Sequence, residues 1–133
     1  MNHRLLFRAA AAWNIGMSSL VGIFHEQMLP LFGMPAKMTY PVFFYEFLAL
    51  VFAFGIGYYW ASKDFNKYAP VIEMGVIGKL LVFFTGIFWA IRGPSDGGCS
   101  WIVMGIFFVD FVFAVLFLKA LYTLKKRAGI KTI

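Results

Sequence analysis

Charged residues are scarce in this chain of 133 residues. Asp, Glu, Lys and Arg make up 14% of it, against about 25% in an ordinary soluble domain. Hydrophobic residues make up 62% and aromatic residues 20%, and a soluble domain of this length could not bury so much apolar surface. The composition therefore predicts an integral membrane protein and leaves no room for a separate soluble domain.

Cysteine and histidine, the residues of disulfides and many metal sites, are also few. Cys99 is the single cysteine, which excludes an internal disulfide. His25 lies in HEQML, which lacks the second histidine of a zinc-protease motif, so no metal site is predicted, although a site shared with Glu46 is a minor alternative. The sequence contains no recognisable nucleophile–base pair or glycine-rich phosphate loop. No catalytic residue is predicted, and a role as an enzyme is not indicated.

Four long apolar stretches account for most of the chain. They cover residues 5–28, 41–61, 68–91 and 100–121, and each is long enough to cross about 30 Å of hydrocarbon as a helix. Prolines and polar residues separate them, and Pro41 and Pro70 suit the first turns of the second and third helices. The predicted fold class is all-α: one polytopic membrane domain, a bundle of four transmembrane helices with short loops.

The basic residues predict the orientation of this bundle. Lys37 and Arg92 would lie on one side of the membrane and nine basic residues on the other. The nine are Arg4, Arg8, Lys63, Lys67, Lys119, Lys125, Lys126, Arg127 and Lys131. This asymmetry predicts an inner (plasma) membrane protein with both termini in the cytoplasm. The net charge of +6 is thereby explained without nucleic acid as a partner.

The basic residues after the last span suit the membrane surface. Lys125, Lys126 and Arg127 form a juxtamembrane cluster, which we interpret as a topology anchor that contacts lipid headgroups. At the same inner edge, Arg8 and Glu73 are candidates for an ion pair between the first and third helices.

Lys79 interrupts the apolar run EMGVIGKLLVFFTGIFWAI near its middle. A charged side chain at such a depth costs about 3 kcal/mol to insert. Asp110, in IFFVDFVFAVLF, falls at nearly the same depth of the next helix. Because consecutive spans are antiparallel neighbours, the sequence predicts that Lys79 and Asp110 meet inside the bundle.

Each of the other two helices also carries a polar residue on a face that suits the interior. Asn14 shares a face with Ser18 and His25 on the first helix, and Glu46 lies on a stripe of small residues on the second. The predicted buried polar cluster, and candidate ligand site, therefore comprises Asn14, Ser18, His25, Glu46, Lys79 and Asp110. Two interpretations stay open: the charged pair only fixes helix order and register, or the cluster binds a ligand or protons. Asn14 similarly suits a hydrogen bond between helices or a ligand contact.

Several stretches together resemble a known group of proteins: RAAAAWNIGM, LFGMPAKMTYP, FGIGYYWASKD, GVIGKLLVFF and VDFVFAVLF. They are similar to the small four-helix membrane proteins known as DoxX-like. The resemblance implies a four-span bundle with cytoplasmic termini. Some DoxX-like proteins are linked with quinone-reducing thiosulfate oxidation or membrane redox complexes. The resemblance transfers no catalytic residue to this chain.

These observations lead to three functional expectations. The first is a small inner-membrane accessory or assembly subunit, or a lipid- or quinone-binding bundle, built around the buried polar cluster. Its expected partners are membrane lipid and other membrane subunits or further copies of the chain, and no cofactor beyond such a lipid or quinone is predicted. The second is a small oligomeric proton-coupled transporter that uses Lys79, Asp110 and Glu46. The third is a membrane partner of a quinone-linked oxidoreductase.

Overall fold

The chain is all-helical in the part that the structure describes. The computed structural model describes residues 2–35, 37–38, 40–92 and 100–127, and this part of the chain contains five helices. The helices are α1 (His3–Ile23), α2 (His25–Leu31), α3 (Pro41–Lys63), α4 (Ala69–Arg92) and α5 (Trp101–Arg127).

Local sequence signals explain several of the helix ends. The Asn2 side chain caps α1 by accepting a hydrogen bond from the backbone N–H of Leu5 at 3.2 Å. Pro41 occupies the first turn of α3, where its missing N–H has no helical partner to lose. Asp64 ends α3, and its carboxylate accepts a hydrogen bond from the Lys67 N–H at 3.1 Å in the turn to α4.

Three of the described helices are long and apolar enough to cross a membrane. These candidate spans are Pro41–Lys63, Ala69–Phe88 and Trp101–Lys126. They correspond to the second, third and fourth predicted spans, and α5 continues six residues beyond the predicted end at residue 121. A helical membrane protein is therefore the fold class that the structure supports.

The first predicted span, residues 5–28, needs correction. The chain leaves helical geometry at Phe24, and a separate seven-residue helix, α2, follows with Pro30 inside it. The region is thus two helices, and α1 is not among the three candidate spans. Its arginines, asparagine and serines make α1 less apolar than α3, α4 and α5.

The long helices pack chiefly as two pairs. α1 packs along α3, and α4 packs along α5, whereas α3 meets α4 mainly near their connection. Gly55 permits the close approach of α1 to α3, because a Cβ at that position would lie 2.6 Å from Ile15 Cγ1 and 3.1 Å from the Ile15 backbone nitrogen. The ring of His3 stacks on Phe65, with centroids 5.0 Å apart. The start of α1 therefore lies beside the α3–α4 connection.

Two apolar clusters form the core, with polar residues between them. The first cluster surrounds Phe7, Ile72 and Phe117 near the start of α1. The second joins Val21, Phe32 and Val103 near the other end of α1. Because the clusters occupy opposite ends of the helices, the side chains that lie between them belong to the middle of the packed helices.

Candidate ligand site at the buried polar cluster

Lys79 lies at the centre of a layer of polar residues between the two apolar clusters, which we call the polar layer: Asn14, Ser18, Lys79 and Asp110. Its Nζ contacts Asp110 Oδ1 directly and donates a second hydrogen bond to Asn14 Oδ1 at 3.2 Å. Lys79 comes from α4, Asp110 from α5 and Asn14 from α1. The contact expected between Lys79 and Asp110 is therefore present, and Asn14 links it to the other helix pair.

The surroundings of the Lys79 ammonium are otherwise aromatic. Its Nζ lies 5.6 Å from the ring centroid of Tyr58 and 5.5 Å from that of Phe113, distances at which a ring face attracts a cation. The Lys79 side chain exposes 6% of its surface, whereas the Asp110 side chain exposes 18%. The carboxylate is thus the more accessible partner of the ion pair.

Asn14 and Ser18 complete the inner polar residues of α1. The Asn14 side-chain amide donates to the Val51 carbonyl of α3 at 3.3 Å, so this residue joins three helices. Ser18 Oγ instead donates to the Asn14 carbonyl at 2.6 Å, within its own helix. Four of the six predicted cluster residues are therefore brought together: Asn14, Ser18, Lys79 and Asp110.

Glu46 is not part of this cluster, which corrects its predicted interior position. Its side chain is exposed, on the opposite side of α3 from the inward residues Leu48, Val51 and Gly55. Two residues along a helix correspond to a rotation of about 200°, so Glu46 and Leu48 cannot share a face. The stripe of small residues that indicated an inner face for Glu46 points outward at Ala49 and Ala53.

His25 also lies away from the polar layer. It begins α2 beyond the break at Phe24, and its Nδ1 is 3.2 Å from the hydroxyl of Tyr45 on α3. Among the described residues, no group of three His, Cys, Asp or Glu side chains is placed to hold a metal ion. His25 therefore pairs with a tyrosine at the end of the packed helices, and Glu46 is not its partner.

The inner-edge residues are paired differently from the prediction. Glu73 Oε1 lies 3.5 Å from Lys125 Nζ, and both side chains are about half exposed. Arg8 is exposed on α1, whereas Lys125 belongs to α5, which packs along the helix that carries Glu73. Lys126 is exposed near the end of α5, and the Arg127 side chain lies outside the described part of the chain.

A cavity of about 520 Å³ borders the polar layer. Polar side chains in its lining are Asn14, Ser18, Lys79 and Asp110, with the hydroxyl-bearing Tyr58 and Thr85. Most of the wall is apolar. Leu50 of α3 and Leu81 of α4 line the cavity although each is 62% exposed. The cavity therefore opens between α3 and α4, on the side where those two helices separate.

Sequence reasoning missed Tyr58 as a member of this site. The run Tyr58, Tyr59 and Trp60 is typical of the aromatic belt at a membrane interface, and Tyr59 and Trp60 are indeed exposed. Tyr58, however, exposes only 1% of its surface and lines the cavity beside Lys79. Its spacing from Val51 and Gly55 on one helical face is the signal that could have identified it.

Comparison with known proteins gives no further assignment: no family model matches the chain, and no curated protein or solved structure is significantly similar to it.

Proposed function

We propose that this protein is a small integral protein of the inner (plasma) membrane that binds a lipid-soluble molecule, such as a lipid or a quinone, in the cavity beside Lys79. The observation that carries the proposal is the cavity itself, which is apolar along most of its wall and polar where Lys79, Asp110 and Asn14 meet. A volume of about 520 Å³ falls within the range of small-molecule sites.

The position of the opening supports a ligand taken from the membrane. Leu50 and Leu81 at the mouth belong to α3 and α4, two of the candidate spans. In a membrane, their exposed side chains would face acyl chains. A molecule with an apolar tail could then enter sideways from the bilayer, with its polar end against Lys79 and its tail toward the lipid.

We further propose that α1 is a fourth span and that both termini are cytoplasmic. With 21 residues, α1 is about 31 Å long, sufficient to cross the hydrocarbon core. Its polar side chains Asn14 and Ser18 are buried. Asn14 donates to α3 and Ser18 to the backbone of α1, so both would be removed from lipid. Its start lies beside the α3–α4 connection, where the basic residues Lys63 and Lys67 favour the cytoplasm.

An epitope placed ahead of residue 1 tests this topology. We expect external protease to leave the epitope intact in right-side-out vesicles and to remove it after permeabilisation. In the same vesicles with Cys99→Ser, an impermeant thiol reagent should label Lys37→Cys but not Asn66→Cys. Cleavage of the epitope from outside, together with labelling of Lys37→Cys, would show that α1 does not span. Cleavage together with labelling of Asn66→Cys would overturn the proposed orientation.

We include in this proposal a role as an accessory subunit and the four-span bundle that the resemblance to DoxX-like proteins implies. Many apolar side chains of α3 are exposed, among them Phe43, Phe47 and Phe52. Lipid would cover this surface in a lone chain, and a further subunit or second copy would cover it in a complex. A small bundle that holds a lipid-soluble molecule next to a larger membrane protein is the role that we propose.

Native mass spectrometry from mild detergent tests the binding function. We expect the purified chain to retain a bound molecule of discrete mass. Gly78→Leu should remove it, because Gly78 lines the cavity and a Cβ there meets no atom within 4 Å, so the added side chain can occupy the space. The matched control is Gly105→Leu, an equally open helical position outside the cavity.

The result for Gly78→Leu distinguishes a molecule bound in the cavity from lipid that adheres to the outer surface of the protein. A bound mass that persists equally in Gly78→Leu and Gly105→Leu would show that the cavity does not hold it. No discrete mass in any mild detergent would contradict the proposed function.

A further inference from the structure

The hydroxyl of Tyr58 has no hydrogen-bond partner among the described residues, although the side chain is almost fully buried. The ring packs edge-on against Phe117, with centroids 5.0 Å apart, and more loosely against Phe54 at 6.1 Å. These contacts fix its position. The oxygen lies against α4 at Gly75, where a Cβ would come within 2.6 Å of it. Gly75 therefore creates the space that this hydroxyl occupies.

A buried tyrosine hydroxyl ordinarily finds a partner, because an unsatisfied polar group in an apolar environment is costly. Tyr58 lines the cavity, so a molecule held there can supply the missing partner. The hydroxyl is thus a polar group that is held in place by aromatic packing and available to a ligand.

Lys79 offers a second unused donor in the same part of the cavity. An ammonium has three N–H groups, and the oxygens of Asp110 and Asn14 accept two of them. No oxygen within the described residues accepts the third. Lys79 follows Gly75 by one helical turn on the same face of α4, and its Nζ lies 5.6 Å from the Tyr58 ring centroid. Lys79 and Tyr58 therefore line the same part of the cavity.

We propose that Tyr58 and Lys79 together select a neutral ligand that carries a carbonyl oxygen, which accepts a hydrogen bond from each of them. This inference rests on the proposed function and specifies the chemistry of the ligand's polar end. Two donors that line one cavity suit a carbonyl oxygen, which has two lone pairs and can accept from both.

The charges of the site favour a neutral ligand over an anionic one. Asp110 already neutralises Lys79, so the pair has no net charge to offer to a phosphate or carboxylate. An anionic group at this point would lie close to the Asp110 carboxylate and would lose its hydration without gaining a counterion of its own. A pure hydrocarbon, conversely, would leave both donors unsatisfied.

Three probes of similar length distinguish these cases: 2-heptadecanone, palmitate and heptadecane. Their affinities are measured by competition against tritiated 2-heptadecanone in a scintillation proximity assay at constant detergent concentration. We expect the ketone to bind about tenfold more tightly than either competitor, which is the factor that one to two modest hydrogen bonds provide.

Tyr58→Phe removes only the hydroxyl and keeps the ring. It should weaken binding of the ketone about five- to tenfold and leave that of heptadecane unchanged. The matched control is Tyr59→Phe, the same chemical change at a neighbouring tyrosine that is exposed and outside the cavity, and it should leave all three affinities unchanged. Because the Tyr58 hydroxyl has no described protein partner, Tyr58→Phe should not lower the unfolding temperature below that of the wild type.

The outcomes separate this inference from the proposed function. Unchanged ketone affinity in Tyr58→Phe, or tighter binding of palmitate than of ketone, would overturn the inference. If Gly78→Leu still abolished binding of the ketone and heptadecane in that case, the lipid-binding function would stand. If Gly78→Leu weakened none of the probes, the proposed function would fail together with the inference.

Discussion

Lys79 carries its charge in the middle of α4, where both neighbouring turns are apolar. The contacts that surround it are an anion, an amide oxygen and two aromatic faces. Such an ion pair replaces the hydration that both groups lose on burial. Its net contribution to stability is small, but removing one member leaves an uncompensated charge.

Single and double substitutions of the pair should therefore differ strongly. Lys79→Met should reduce the free energy of unfolding by roughly 3–5 kcal/mol, because it leaves Asp110 without its cation. Lys79→Met combined with Asp110→Leu should come within about 1 kcal/mol of the wild type. Denaturant unfolding in mixed micelles measures both.

The control is Lys119→Met, which removes an exposed lysine of α5; a change within about 0.5 kcal/mol is expected there. A double variant as unstable as Lys79→Met would show that the pair contributes net stability. A stable double variant that no longer binds the cavity probes would assign the pair to function.

At the residue scale, the sequence predicted the charged partners but not the whole site. Lys79 and Asp110 could be matched because charge is rare in an apolar helix and depth can be counted from the helix ends. Glu46 was misplaced because small residues recur on more than one face of α3 and do not alone identify the inner one. Tyr58 was missed because the sequence near a helix end does not show whether a tyrosine faces lipid or a cavity.

At the scale of helices, the crossing of α1 and α3 depends on Gly55. A Cβ at Gly55 would approach both a side-chain atom and the backbone nitrogen of Ile15, and backbone cannot move aside cheaply. Gly16 has no atom within 4 Å of such a Cβ. The two glycines therefore provide a matched pair that differs in packing and not in residue type.

We expect Gly55→Ala to reduce the free energy of unfolding by about 1–3 kcal/mol through overpacking. Gly16→Ala should increase it by up to about 1 kcal/mol, because alanine favours the helix more than glycine does. The two variants should therefore change the free energy of unfolding in opposite directions in the same assay. A gain in stability for Gly55→Ala would contradict the close crossing of these helices.

The helix boundaries show which features of the sequence predict where a helix begins or ends. The starts of α3, α4 and α5 agree with the predicted spans within one residue. Pro41 marks the first, the polar stretch around Asp64 the second, and the stretch RGPSDGGC the third. The extension of α5 to Arg127 was not predicted, since lysine and arginine are good helix formers that hydropathy does not count. The break falls at Phe24, two residues after Gly22. Gly16 lies in the same helix without a break, so a glycine alone did not predict where α1 ends.

At the scale of the whole molecule, two helix pairs enclose the cavity. α1 with α3 forms one pair and α4 with α5 the other, and the ion pair lies within the second. Asn14 connects the two pairs, because its Oδ1 accepts from Lys79 of α4 while its amide donates to Val51 of α3. Apolar contacts such as that of Phe7 with Phe117 also join the pairs near the start of α1. Asn14 should therefore influence the width of the cavity beside Lys79, away from those contacts.

Asn14→Leu keeps the approximate volume of the side chain and removes both hydrogen bonds. We expect a loss of about 1 kcal/mol in the free energy of unfolding, the magnitude typical of hydrogen bonds between membrane helices. Ser18→Ala is the control, because the hydrogen bonds of the Ser18 hydroxyl within the described residues go to carbonyls of its own helix. Equal losses in both variants would indicate that Asn14 does not join the pairs.

The geometric consequence can be measured separately with spin labels in a Cys99→Ser background. Leu20 on α1, Ile77 on α4 and Leu118 on α5 are exposed and accept labels without disturbing the core. If Asn14 holds the two pairs together, Asn14→Leu should broaden the distance distribution between labels at 20 and 77. The distribution between 77 and 118 should stay unchanged, because Lys79 and Asp110 still join α4 to α5. Equal broadening of both distributions would mean that the helices do not move as pairs, and no broadening would mean that apolar packing alone sets the cavity width.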